Sequence, residues 1–273
     1  MTMRKSGVFG IALCGLVFLS GAMSGQTSAS GSSAQTGSMG AEVRVSVGVF
    51  VVESGARLAL EIVRDDPCTC LCDPVHVTGL SLLDGSGETV QSELYEPSID
   101  TAEWLGRVAL VDDDGVVLPE GPYSVLVETT AGAFSASVEI VPTHQMAQSG
   151  RFSASASVCG LELRVYRLIT EEDAGASVAL RQGDRLMVAL AGNATTGFQW
   201  ENVLLYEYAV LRETQEVEYR EEPHTETMVG SGGTFLFRYE AVAPGSQSFR
   251  FVYHRPWESA EPAQVVEFDA IVH

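Results

Sequence analysis

Positive charge is what this sequence has least of. Its 273 residues carry 16 Lys and Arg against 36 Asp and Glu, a formal charge of −20. Nucleic acid and anionic membrane surfaces are held by clustered cations, so neither is expected as a partner. Long apolar runs are missing too: none reaches the roughly 18–20 residues that a spanning helix needs, so no membrane span is expected. The five His and the serines form no nucleophile elbow and no paired catalytic motif. The reading is therefore not an enzyme, and no cofactor or metal is assigned. What the chain does have is 45% apolar residues, enough for two single-core domains and too many for a disordered protein.

The first residues read as an export signal. Arg4 and Lys5 form its positive end, 8–19 its apolar stretch, and Ser20-Gly21-Ala22 the small residues of a cleavage site. Cleavage after Ala22 removes two positive charges and no negative ones, leaving −22. Cys14 follows Leu13 in the middle of the apolar stretch, which suits an ordinary signal residue better than a lipid anchor. Residues 23–40 contain no charge and only Ser, Gly, Thr, Ala, Gln and Met. Such a segment cannot bury enough surface to offset its ordering entropy and reads as a flexible linker. The expected location is periplasmic, secreted or cell-surface, in a bacterium.

Export permits disulfides. Past residue 22 the cysteines are Cys68, Cys70, Cys72 and Cys159, an even number that suits two bridges with three possible connectivities. A thiolate metal site with His76 nearby is the alternative, but C-x-C-x-C is not a common zinc spacing. Asp112-Asp113-Asp114-Gly115 lacks the alternating ligands and terminal Glu of a calcium loop and reads as a solvated turn.

Beyond residue 40 the apolar pattern runs at period two, with no helical periodicity. Alternation over 43–49, 59–63, 75–83, 107–111, 123–128 and 134–140, divided by Gly, Asp and Pro turns, predicts an immunoglobulin-like sandwich over 41–142. Pro119-Glu120-Gly121-Pro122-Tyr123 resembles the tyrosine-corner entry to the sixth strand of such domains. Residues 143–157 break the alternation and read as a linker. A second set of strands is predicted at 161–168, 185–191, 198–205, 208–219, 234–239, 248–253 and 265–272, named A to G. The fold class expected is all-β: two antiparallel β-sandwich domains, 41–142 and 158–273.

Three connections in the second half are unusual. Between B and C lies Asn193-Ala194-Thr195-Thr196-Gly197-Phe198, between D and E Gly230-Ser231-Gly232-Gly233, and between F and G Arg255-Pro256-Trp257. Strands of an antiparallel sandwich reverse in turn, so loops two strands apart emerge at the same end. Strand counting alone therefore puts all three on one rim. Glycines allow close backbone approach, Pro256 limits the entropy lost on docking, and Trp and Arg dominate interface energetics.

With these motifs in this order, residues 158–273 resemble the chagasin-type inhibitors of papain-like cysteine peptidases, whose loops read N-P-T-T-G-[YF], G-x-G-G and R-P-[WF]. The resemblance implies reversible, competitive inhibition of a papain-like partner by a monomer. Thr195, Thr196 and Gly197 would cover the catalytic Cys and His. Asn193, Phe198, Gly230, Gly232, Gly233, Arg255, Pro256 and Trp257 would complete the contact. Ala194 stands where the family has Pro, which implies a weaker or more adaptable loop. The same change makes Asn193 part of an Asn-Ala-Thr glycosylation sequon, which favours a host that leaves the site unmodified. A two-domain adhesion protein using the same rim is the competing expectation. The acidic stretch 216–226 beside the second loop suggests faster association with basic enzymes.

Overall fold

The computed structural model describes residues 49–64, 74–112, 114–148, 157–158, 161–204, 210–221 and 232–273. The expected leader, the linker, the valines at 43–47, all five cysteines, Asp113 and Gly230 lie outside these residues, as do 149–156. The described residues all fall in one compact unit.

The N-terminal half contributes β1 (Val49–Glu53), β2 (Arg57–Arg64), β3 (His76–Asp84), β4 (Thr89–Asp100), β5 (Gly106–Ala109), β6 (Gly121–Thr129) and β7 (Gly132–Val141). The C-terminal half contributes β8 (Ser157–Val158), β9 (Leu161–Ile169), β10 (Ser177–Leu180), β11 (Arg185–Gly192), β12 (Gln199–Asn202), β13 (Leu211–Glu221), β14 (Gly233–Ala241), β15 (Gly245–His254) and β16 (Gln264–Val272). No α-helix occurs among the described residues, and the all-β, two-sandwich expectation holds.

Each half packs one sheet over another. In the N-terminal half β1-β7-β6-β3-β4 covers β2 and β5; in the C-terminal half β10-β16-β15-β12 covers β9, β11, β14 and β13. Alternating residues fill the space between. Tyr123, Val125 and Val127 face Leu58, Leu60 and Ile62 in the first core, and Phe235, Phe237 and Tyr239 meet Phe249, Phe251 and Phe268 in the second. Phe237 and Phe251 pack edge to face with ring centroids 4.7 Å apart, while Phe249 and Phe268 stack at 4.8 Å. The tyrosine corner is formed as the sequence suggests: the Tyr123 hydroxyl donates to the Pro119 carbonyl at 3.1 Å.

Three pairings depart from strict antiparallel order: β1 with β7, β10 with β16 and β9 with β11 are parallel. The middle case shows the cause. After β9 a short 3-10 turn, Glu171–Asp173, carries the chain to the opposite sheet, where β10 lands beside β16 and runs the same way.

β9 is shared between the halves. It pairs antiparallel with β2 from Arg57↔Leu168 to Arg64↔Leu161, and parallel with β11 at Leu186↔Arg167 to Val188↔Ile169. One sheet, β13-β14-β11-β9-β2-β5, thus runs through both sandwiches. Leu161, Leu163 and Val165 enter the first core; Ile169, on the same face further along, enters the second. Val51, Val141, Met146 and Ala179 fill a small cluster between the two covering sheets.

Candidate functional site

The first unusual loop is a tight, internally bonded turn. Asn193 caps a 3-10 turn over Ala194–Thr196, and its side-chain oxygen accepts from the Thr195 amide at 3.0 Å and the Thr195 hydroxyl at 2.6 Å. Asn is favoured there because its short side chain reaches the free amides of a turn start. The Thr196 hydroxyl donates to the Asn193 carbonyl at 2.6 Å. Both hydroxyls are thereby satisfied within the loop while Thr195 and Thr196 stay exposed.

Gly197 ends the turn at φ +80°, a region costly for any residue with a Cβ. A Cβ there would also lie 2.6 and 2.8 Å from the Trp257 ring. The third loop therefore rests directly on the first. Arg255 joins them again: its Nε donates to the Thr196 carbonyl at 3.1 Å, its Nη1 donates to Glu258 at 2.9 Å, and its guanidinium lies 4.5 Å from the centre of the Phe198 ring. Phe198 is half-buried between Arg255 and Tyr253, whose ring centroid is 5.1 Å away. Pro256 and Trp257 form the exposed tip, with Trp257 69% exposed.

The second loop reaches the same rim through register. Gly192, the residue before Asn193, pairs with Gly233, and Gly233 pairs in turn with Glu221. A Cβ on Gly233 would lie 2.3 Å from the Arg220 carbonyl and 2.7 Å from the Tyr219 ring, so only glycine allows β13 to approach so closely. At the other side Gln199 pairs with His254, the residue before Arg255. The strands thus bring 193–198, 232–233 and 255–257 to one edge, the arrangement that strand counting predicts. Gly230 lies outside the described residues.

Two aromatic residues outside the three motifs, Tyr253 and Trp200, hold the rim. The Asn193 amide donates to the Tyr253 hydroxyl at 2.7 Å, and the Trp200 indole N–H donates to the Ala191 carbonyl at 2.9 Å. Tyr253 belongs to the alternating trio 249, 251, 253, so its spacing signalled core; its position as the last of the trio, next to the loop, was the available clue.

The remaining candidates are plain. Asp112 accepts from the amides of Asp114 and Val116 at 3.0 and 2.8 Å, a solvated turn bonded to its own backbone. Among the described residues no group of His, Cys, Asp or Glu is placed to hold a metal. The Cys68, Cys70, Cys72 and Cys159 disulfide candidates lie outside those residues.

Comparison with known proteins agrees with the motifs. Residues 179–272 match the family described as chagasin family peptidase inhibitor I42, a family of inhibitors and not of enzymes. Chagasin of Trypanosoma cruzi is 29% identical over 93 residues, which cover 33% of this chain and 81% of that protein. Amoebiasin-1 of Entamoeba histolytica is 28% identical over 89 residues, covering 33% and 82%. The crystal structure of the cysteine protease inhibitor EhICP2 from Entamoeba histolytica matches at 24% identity and a TM-score of 0.35, covering 39% of this chain and 94% of that one. Residues 179–272, which hold all three rim loops, are thus the part of the chain that is similar to the chagasin family of peptidase inhibitors.

Proposed function

We propose that this protein is an exported, reversible, competitive inhibitor of papain-like cysteine peptidases that fills the active-site cleft with the rim of its C-terminal sandwich. The observation that carries the reading is the packing of Trp257 onto Gly197 together with the Gly192↔Gly233 pairing, which welds three loops into one wedge. The match of residues 179–272 to a family described as peptidase inhibitors supports the same reading.

The chemistry of such a wedge follows from its bonding. The Thr195-Thr196-Gly197 turn satisfies its own hydroxyls and amides, so it enters a narrow cleft without leaving polar groups stranded. Its bent backbone offers no extended segment across which a nucleophile could cut. The three loops contain no Cys that could form a disulfide with the catalytic thiol, so the block is non-covalent. Trp257 is the apolar anchor beside the cleft, and Arg255 is a positioning residue whose donors are committed to Thr196 and Glu258. An interface of about 800 Å² per partner, usual for protease–inhibitor pairs, is within reach of three loops.

Titration of papain with the full chain lacking residues 1–22 tests this. The expected result is a rise in apparent KM with kcat unchanged, reversed by dilution; no inhibition at micromolar protein would refute it. Export is tested by the N-terminal sequence of the protein recovered outside the cytoplasm, expected to begin after Ala22.

A further inference from the structure

Two side chains of β2 reach out of the N-terminal half to the feet of the rim loops. Leu58, Leu60 and Ile62 face the first core, whereas Ala59 lies on the opposite face of the shared sheet with Tyr166, Met187 and Leu236. The alternation of a strand puts Arg57 and Glu61 on that second face with Ala59.

Arg57 donates to Asp173 at 2.6 Å and to Glu172. These residues form the 3-10 turn after β9, itself closed by a capping box between Thr170 and Asp173. The turn's first residue, Glu171, accepts the backbone N–H of Ala191. That amide lies where β9 has already ended, beyond its last pairing at Ile169, so the side chain stands in for a missing strand. Ala191 is two residues before Asn193, at the foot of the first loop.

Glu61 holds the second foot. It is 3% exposed and accepts from Arg220 Nη2 at 3.0 Å and from Arg238 Nε and Nη2 at 3.0 and 2.5 Å. Both arginines also bond Glu218, and Arg220 Nη1 donates to the Trp104 carbonyl at 3.3 Å. Arg220 pairs with Thr234, one position from the Glu221↔Gly233 pair where the second loop closes.

We propose that β2 is a brace: through Arg57 and Glu61 the N-terminal half fixes the feet of the first and second loops and so sets the stiffness of the rim. The brace follows from geometry alone; its effect on affinity rests on the inhibitor reading above. A loop that must be ordered on docking costs affinity that a braced one does not. The N-terminal sandwich is accordingly part of the inhibitory machinery rather than a passenger.

The test uses the full chain lacking residues 1–22, with Arg57→Ala and Arg220→Met. Both side chains are partly exposed, at 25% and 22%, and Arg238 still pairs with Glu61 when Arg220 is replaced; the control segment reads whether the fold is kept. Arg57→Lys is the rescue. Amide exchange is followed at 189–197, at 232–236 and, as a control, at 264–272, alongside papain inhibition. The expected result is faster exchange at 189–197 for Arg57→Ala and at 232–236 for Arg220→Met, with control exchange unchanged. Inhibition constants should rise about tenfold, the scale of ordering one or two extra groups on binding, and Arg57→Lys should restore most of the loss. Unchanged exchange at both feet would overturn the brace. So would equal acceleration at 264–272, which would make these residues merely structural, or faster exchange at the feet with unaltered inhibition. Failure of the unsubstituted chain to inhibit would refute the inhibitor reading alone, because exchange still decides whether the brace exists.

Discussion

Trp257 has an exposed indole that nevertheless touches the backbone of a different loop at Gly197; under the proposed function it is both anchor and wedge support. Aromatic anchors of this kind carry about 2 kcal/mol or more when truncated. Trp257→Ala should therefore weaken papain inhibition by at least about 2 kcal/mol, roughly thirtyfold, in a steady-state titration. Ala194 is the first residue of the 3-10 turn, the place where Pro is best tolerated because its φ is already set and its N–H is not needed. Ala194→Pro should tighten inhibition by about 0.4–1 kcal/mol through lost freedom of the unbound loop; an unchanged or poorer inhibition constant would reject that. The sequence made these residues visible because each motif is short and continuous. Tyr253, Trp200, Arg57 and Glu61 were not, since each acts on a loop distant in the chain and carries no local mark of it.

Among the elements, the second-half strands were legible from alternation alone: β9, β11, β14, β15 and β16 begin or end within a few residues of the predicted ones. β4 escaped because most of its residues are exposed, so its faces show no apolar contrast. β10 escaped because four residues between two turns are too few to display a period. The sharing of β9 could not be read at all, since both its neighbours see the same alternating pattern and only pairing tells them apart. At the foot of β11, Asp184 is fully buried, accepts the Arg181 amide at 2.8 Å and meets its guanidinium at 3.5 Å; Arg181 also donates to the Val49 carbonyl on β1 at 3.0 Å. Burial outweighs the Arg181 charge and hydrogen bonds and pushes the Asp184 carboxyl up to about 6. A raised carboxyl means the folded state binds the proton more tightly than the unfolded one. Its contribution is therefore fullest below the unfolded value near 3.8 and is lost as pH rises toward 6. The loss is about 1–3 kcal/mol by linkage. Urea unfolding of the unsubstituted chain and of Asp184→Asn at pH 4 and pH 7 should differ in their pH slopes by that amount, with the substituted chain flatter.

At the scale of the molecule, a single sheet joins two cores, and the sequence carries a formal charge of −20. Glu216, Glu218 and Glu221 lie on the strand leading into the second loop, and Arg220 and Arg238 hold the Glu218 carboxyl below its usual range despite its partial burial. It stays ionised into mildly acid conditions. Association with a basic papain-like peptidase should therefore slow as salt rises, by about tenfold or more between low and near-molar ionic strength, while dissociation changes little. Stopped-flow rates that ignore salt would make steering unimportant.

The most direct measurement is a crystal structure of this chain, lacking residues 1–22, bound to papain. In that complex Thr195, Thr196 and Gly197 should lie over the catalytic Cys and His, Trp257 against one wall of the cleft and the Gly232-Gly233 end of the second loop against the other. A complex seated on any other face, or one that leaves the catalytic Cys open, would contradict it.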